Sequence, residues 1–263
     1  MTAADEHRDG YRGELSAGYP TLAEILGSAN YATAMSGKWH LTLDRQMGEP
    51  PNGSWPTERG FEQFFGCLSG GGSYRAHGRY MDGAEFIPKE RLSKDFYYTD
   101  AITTHAVKFI ENHEPSQPLF LYLAHYAPHR PLDAPKNRIE KYFERYEPGY
   151  DVLRQERFQR LKTLGFVEQD AALGAMGFSI SESLPTGEPL PAWEDLSKAD
   201  QKAWIQEMST YAAMIEIMDD GIGAVVSALE NKGMRENTLF LFLSDNGATF
   251  EGGRISTLAA NLS

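Results

Sequence analysis

The chain has 263 residues, 41% of them hydrophobic and 24% charged, the make-up of a globular protein with room for one sizeable core or two small ones. Lys and Arg total 25 against 37 Asp and Glu, a formal net charge of −12. That balance argues against nucleic acid or an anionic membrane as partner, but not against a small anion held in a local cationic pocket. A single cysteine, Cys67, excludes an intrachain disulfide, and no apolar run approaches the roughly 20 residues of a membrane span.

Residues 1–19, opening MTAADEHRDGYRGEL, are polar, carry no apolar signal-peptide core and read as an irregular extension. The compartment therefore stays open. From Pro20 the pattern turns helical: Thr21 can cap, and Leu22, Ile25 and Leu26 share a face before Gly27-Ser28-Ala29-Asn30 stops the turn. YATAMS, residues 31–36, suits a buried strand. Residues 44–96 are rich in Gly, Pro and aromatics and read as loops. Residues 99–112 carry a helical stripe of Ala101, Ile102, His105, Ala106, Phe109 and Ile110. LFLYLAHY, after Pro118, fits a central strand and ends in the stiff APHRP, residues 127–131.

Residues 136–165 are charged with helical spacing, and 174–195 form a loop with three prolines. A long helix follows over about 197–230, where Trp204, Met208, Tyr211, Ile215, Met218, Ile222, Val225 and Leu229 recur at intervals of three and four. Gly233 stops it. NTLFLFLSDNG, residues 237–247, reads as a third strand, and 251–263 as an irregular tail. The alternation of helix and strand predicts an α/β fold: a mostly parallel sheet with helices on both faces, in one domain over 20–250.

Each predicted strand ends in groups that bind charge: Lys38 and His40, then His125 and His129, then Asp245 and Asn246. Right-handed crossovers put the carboxyl ends of parallel strands on one sheet edge, so the three sets are expected to converge. There Lys38 would neutralise an anionic oxygen, while His40 and His129 would donate hydrogen bonds or protonate a leaving oxygen. Asp245 and Asn246 would offer oxygen ligands of the type that hard cations take. Plainer readings compete: SDNG is good turn chemistry, and His125 packs or caps. His77, His105 and His113 have no companions, Asp219-Asp220 suits an exposed helix face, and Cys67 has no basic neighbour in sequence. Gly70-Gly71-Gly72 follows no clear strand, so a phosphate-cradling loop is not expected.

The blocks PTLAEILGSANYATAMSGKWHL, RGFEQFFGCLSGG, PLFLYLAHYAPHRPLDAP and YAAMIEIMDDGIGAVVSALENKGMRENTLFLFLSDNGA resemble, in order, the type I sulfatase family, in its bacterial arylsulfatase branch and within the alkaline phosphatase superfamily. The resemblance runs from about Pro20 to Gly247. It implies that Lys38, His40 and His129 contact the sulfate and its leaving group. It implies that Asp245 and Asn246 are two ligands of a calcium ion. The family's first strand with paired aspartates, its formylglycine segment and a downstream lysine find no match here. The expectation is a partial sulfatase core with weak or no turnover, since two protein ligands leave calcium short of its roughly six to eight oxygens. Such a core would have a sheet edge open to self-association. Two other readings stay open: a metal-dependent phosphate ester hydrolase and a non-catalytic relative.

Overall fold

Thr21 opens the first helix through a reciprocal cap. Its hydroxyl accepts the Glu24 N–H at 3.0 Å, while the Glu24 carboxylate accepts the Thr21 N–H at 2.6 Å. In the computed structural model, which describes residues 13–43, 53–70, 72–76, 79–174 and 191–247, this helix is α1, Leu22–Ser28. Residues 1–12 of the polar N-terminal stretch, residues 175–190 of the three-proline loop and the 251–263 tail lie outside the described residues.

The chain divides into two units. The first comprises Met1–Asp133 and Met214–Leu239, and the second Ala134–Ala213 and Phe240–Ser263. The first is built on a five-stranded sheet of β1 (Ala32–Lys38), β2 (Gln63–Cys67), β3 (Met81–Asp82), β4 (Glu85–Phe86) and β5 (Leu119–Ala124), in the order β4-β3-β2-β1-β5. β1 runs parallel to both β2 and β5, and the short β3–β4 hairpin is added antiparallel. The sheet is therefore mixed, with the three longer strands parallel as expected, and its interior strand β1 is buried along almost its whole length.

Both faces are covered. On one, Ala23 of α1, Met35, Trp39, Trp55, Phe61, Phe64 and Met81 form a buried cluster. On the other lie α2 (Tyr98–Asn112) and the second half of α6 (Lys198–Asn231). There Ala106, Ile110, Val225, Ala228 and Leu229 pack with Leu119, Leu121 and Leu123 of β5. Ser36 on β1 donates to the Ile102 carbonyl at 2.8 Å, and the His105 ring stacks on Phe65 at 3.6 Å. His105 is thus a packing residue.

The second unit is helical, with α3 (Lys136–Ile139), α4 (Phe143–Tyr146), α5 (Gly149–Thr163) and the first half of α6. Tyr146, Tyr150, Trp193 and Trp204 meet edge to face within it.

Three expectations are corrected. The stretch over 44–96 contains a full strand, β2, and a small hairpin. LFLYLAHY supplies an edge strand among the described residues. The third predicted strand does not form: residues 238–247 join no ladder, and Leu239, Leu241, Phe242 and Leu243 are 74–82% exposed. An apolar run can be buried, but a strand also needs a neighbour's hydrogen-bonding edge, and no described strand pairs with this one.

Arg59 ties the entry to the sheet together. Its buried guanidinium reaches Glu24 at 2.9 Å and donates to the carbonyls of Leu15 at 2.9 Å and Tyr19 at 2.7 Å. Arg59→Met should cost about 1–3 kcal/mol, because it removes the buried partner of the half-exposed Glu24 carboxylate and the donors of two carbonyls. Urea unfolding checks this; a loss under about 1 kcal/mol would show that the network is dispensable.

Candidate functional site

The parallel strands end at one level. Lys38, the last residue of β1, is in register with Cys67, the last of β2, and Gly37 with Ala124, the last of β5. Gly37 has φ 130°, and a Cβ there would lie 1.8 Å from the Ala124 carbonyl oxygen. Only glycine permits so close an approach, and it delivers Lys38 to the sheet edge. Pairing continues beyond the strand, as Trp39 N–H donates to Cys67 O and His40 N–H to Leu68 O, both at 2.9 Å. His40 has φ 59°, and its imidazole lies on Gly70, where a Cβ would come within 1.9 Å of Nε2. Gly70 makes room for a side chain.

The groups after β5 arrive at the same place through Tyr126. Lys38 Nζ sits 5.6 Å from the centre of the Tyr126 ring, a cation–π contact. The His129 ring stacks against the same phenol at 5.5 Å and 21°. Tyr126 is buried. Its hydroxyl accepts from Gly72 N–H at 3.2 Å and donates to Arg130 O at 2.6 Å, so one side chain links segments that follow β1, β2 and β5. Burial pushes its ionisation above the ordinary phenol range, so it stays a neutral donor.

His129 is held by both ring and backbone. Its Nδ1 faces the Arg130 carbonyl at 2.7 Å, which places the proton on Nδ1. Nε2 is then the nitrogen that can accept or deliver a proton. The His129 carbonyl accepts the Tyr74 hydroxyl at 2.9 Å, and Tyr74 stacks on Tyr126 at 4.8 Å. Next to it, Arg75 grips Asp133 with two bonds of 2.9 and 2.6 Å, and the Tyr97 hydroxyl donates to Asp133 O at 2.8 Å. This clamp fixes the loop after β5 against the segment after β2.

A small cleft lies among Cys67, Ser69, Arg79, Tyr80, Tyr98 and Tyr126. The Cys67 thiol is an inert wall. Burial pushes its pKa up, and its sulfur takes the Tyr98 hydroxyl at 3.4 Å. His125, at the end of β5, is enclosed with neither ring nitrogen hydrogen-bonded among the described residues, and burial lowers its pKa to about 4.

Lys38 and His129 are thus brought to one ring, and His40 to the glycine-bearing loop after β2. Asp245 and Asn246 belong to the second unit, and their own surroundings are those of an exposed turn. Ser244 Oγ donates to Asn246 O at 2.6 Å, and the Asn246 amide to Gly247 O at 2.7 Å. Among the described residues no group of three or more His, Cys, Asp or Glu side chains could hold a metal. The pair therefore does not by itself fit the calcium ion expected there.

Tyr126 and the Arg75–Asp133 clamp escaped the reading of the sequence. Their traces are an aromatic residue set between two histidines past a strand, and the tyrosine-rich run over 74–98.

The sulfatase family profile matches residues 1–261. An uncharacterized sulfatase of Schizosaccharomyces pombe is 35% identical over 257 residues, covering 92% of this chain and 43% of that protein. An arylsulfatase of Klebsiella aerogenes is 35% identical over 252 residues, covering 92% of this chain and 50% of that protein. A crystallised protein in complex with its substrate D-glucosamine-2-N,6-O-disulfate superposes with a TM-score of 0.55 at 21% identity, over 90% of this chain and 52% of the other. The chain spans about half the length of these relatives. The shared architecture is the alkaline phosphatase-like fold.

Two outcomes follow from this geometry. Tyr126→Phe should lower unfolding stability by about 0.5–1.5 kcal/mol, since it removes the hydroxyl's two hydrogen bonds, to Gly72 and to Arg130. Tyr126→Leu should in addition shift the NMR resonances of the His129 ring; an unmoved ring would contradict the stacking role. The second outcome concerns His125. Its folded pKa lies below the ordinary value of 6.5, so the unfolded chain takes up a proton that the folded chain refuses. This contribution leaves stability intact above about pH 6.5 and withdraws on the order of 3 kcal/mol as the pH falls towards 4. The lowered pKa of His105 adds in the same direction. His125→Phe should flatten the profile in denaturant titrations between pH 7 and 4.5, and identical slopes in the two proteins would contradict the assignment.

Proposed function

The chain belongs to the sulfatase family, and from that premise we propose that it recognises and hydrolyses sulfuric esters of the arylsulfatase type, with Lys38, His40 and His129 as its sulfate-binding groups. The observation that carries the reading is the Tyr126 ring, within 6 Å of both the Lys38 ammonium and the His129 imidazole. An ammonium beside an imidazole that turns Nδ1 to a carbonyl and so presents Nε2 suits a tetrahedral oxyanion ester. Lys38 balances charge on the sulfate oxygens. His129 Nε2, once protonated, donates to the bridging oxygen and hands over its proton as a water molecule attacks sulfur and the S–O bond breaks, so the products are the alcohol or phenol and hydrogen sulfate. His40, laid on Gly70, is the third group of the proposed set. Cys67 is excluded as the attacking group by its burial and raised pKa.

The test compares esters that differ in leaving group. Phenyl sulfate releases a more basic oxyanion than p-nitrophenyl sulfate and depends more on protonation. His129→Ala should lower turnover of phenyl sulfate by roughly 100-fold or more and affect p-nitrophenyl sulfate less. Lys38→Ala should weaken both esters alike. Sulfate binding by calorimetry should fall roughly tenfold in Lys38→Ala, a loss of about 1.4 kcal/mol. Wild-type protein that neither binds sulfate nor turns over either ester would overturn the proposal.

A further inference from the structure

The loop that carries His129 is tied at both ends by two residues adjacent in sequence. At its start the Tyr74 hydroxyl donates to the His129 carbonyl at 2.9 Å. At its end Arg75 holds the Asp133 carboxylate, through Nε at 2.9 Å and through Nη2 at 2.6 Å. Tyr97 joins the two ties. Its ring stacks on Tyr74 at 5.7 Å and lies under the Arg75 guanidinium at 5.1 Å, while its hydroxyl donates to the Asp133 carbonyl at 2.8 Å. The Tyr74 carbonyl in turn accepts the Tyr98 N–H at 2.8 Å, which anchors Tyr74 and Arg75 to the start of α2. All of these residues lie in the first unit.

The side chains of Arg75 and Asp133 are 34% and 35% exposed, and an ion pair so open to water adds only modestly to folding. What its geometry supplies is direction, because a guanidinium fork fixes a carboxylate in angle as well as in distance. Direction matters here because of what lies between the ties. His129 Nδ1 meets the carbonyl of the next residue, Arg130, at 2.7 Å. That contact is internal to the loop. It lasts only while the loop keeps its backbone shape, and it decides which ring nitrogen carries the proton.

We infer that Arg75 and Asp133 are positioning residues for His129: by fixing the far end of its loop they keep the Nδ1–Arg130 contact made and leave Nε2 as the nitrogen presented. The catalytic consequence rests on the sulfuric ester hydrolysis proposed above. Lys38 does not share the dependence, since it reaches the Tyr126 ring from the end of β1. Two tasks are thereby separated. Lys38 holds the anion whatever the loop does, whereas proton delivery to the leaving oxygen needs the loop in shape. Misplacing a reacting group by about 1 Å can cost as much as 100-fold in rate.

Asp133→Ala tests this, because it removes the carboxylate and spares the backbone carbonyl that Tyr97 holds. Nitrogen-15 NMR of the His129 ring at alkaline pH, where imidazoles are neutral, needs no turnover. Wild-type protein should show one tautomer with the proton on Nδ1. Asp133→Ala should show a mixture, its two ring-nitrogen resonances moving towards each other, with little change in the urea midpoint. In kinetics the variant should lose about tenfold or more in kcat on phenyl sulfate and less on p-nitrophenyl sulfate, while sulfate affinity by calorimetry stays within about threefold. Arg75→Lys, which keeps the charge but not the fork, should give the same pattern in weaker form. An unchanged His129 tautomer in Asp133→Ala would overturn the inference. So would equal losses on the two esters, or a fall in sulfate affinity that matches the fall in turnover, since either marks a pair that only holds the fold. Wild-type protein that neither binds sulfate nor turns over either ester would instead remove the hydrolase reading, and the ring resonances would still decide whether the clamp positions His129.

Discussion

Tyr126 is the residue on which the site depends. Its ring seats the Lys38 ammonium and stacks on His129, and its hydroxyl fastens Gly72 and Arg130. None of these contacts is strong alone; a cation–π pair is worth about 0.5–2 kcal/mol. Their value is positional. A lysine at the end of a strand has a long, free stem, and an imidazole after a proline can turn either way. Sharing one buried phenol limits both. The same ring carries the clamp outwards, through Tyr74 to the His129 carbonyl and through Tyr97 to Asp133.

The sheet makes that arrangement possible. Three parallel strands finish at one level because Gly37 lets β1 and β5 approach more closely than a side chain would allow. Everything chemically useful in the first unit then follows a strand's carboxyl end. His125 shows the cost of the position: an imidazole whose ring nitrogens are enclosed without a hydrogen-bond partner among the described residues, its pKa lowered by burial. Arg59, by contrast, is buried with its guanidinium well partnered, and it stiffens the entry to β1 well away from the chemistry.

The sequence revealed elements with a long apolar period. α2 and α6 could be read because each repeats its apolar positions over enough residues to exclude other structures, and β1 because its short apolar run, YATAMS, suits a buried strand. β2 could not, since Gln63–Cys67 is five residues inside a stretch dominated by glycine, proline and aromatics. The reverse error came at Leu239–Leu243, where composition suits a strand and no described neighbour pairs with it; pairing is a property of two segments and is invisible in one. At the site, Lys38 and His129 were legible as charge-binding groups after strands. Tyr126 was not, because an aromatic residue after an apolar strand looks like more core. The Asp245–Asn246 pair was legible as turn chemistry and as ligand chemistry alike, and its own surroundings are those of a turn.

The claim at the centre is that Lys38 and His129 form one oxyanion pocket beside Tyr126. Tungstate, a tetrahedral dianion with strong anomalous scattering, reports on it directly when diffused into crystals of the protein. The account predicts a tungsten peak beside the Tyr126 ring, with oxygens in hydrogen-bonding reach of both Lys38 Nζ and His129 Nε2. A peak elsewhere on the protein, or Lys38 and His129 facing away from a common anion, would contradict it.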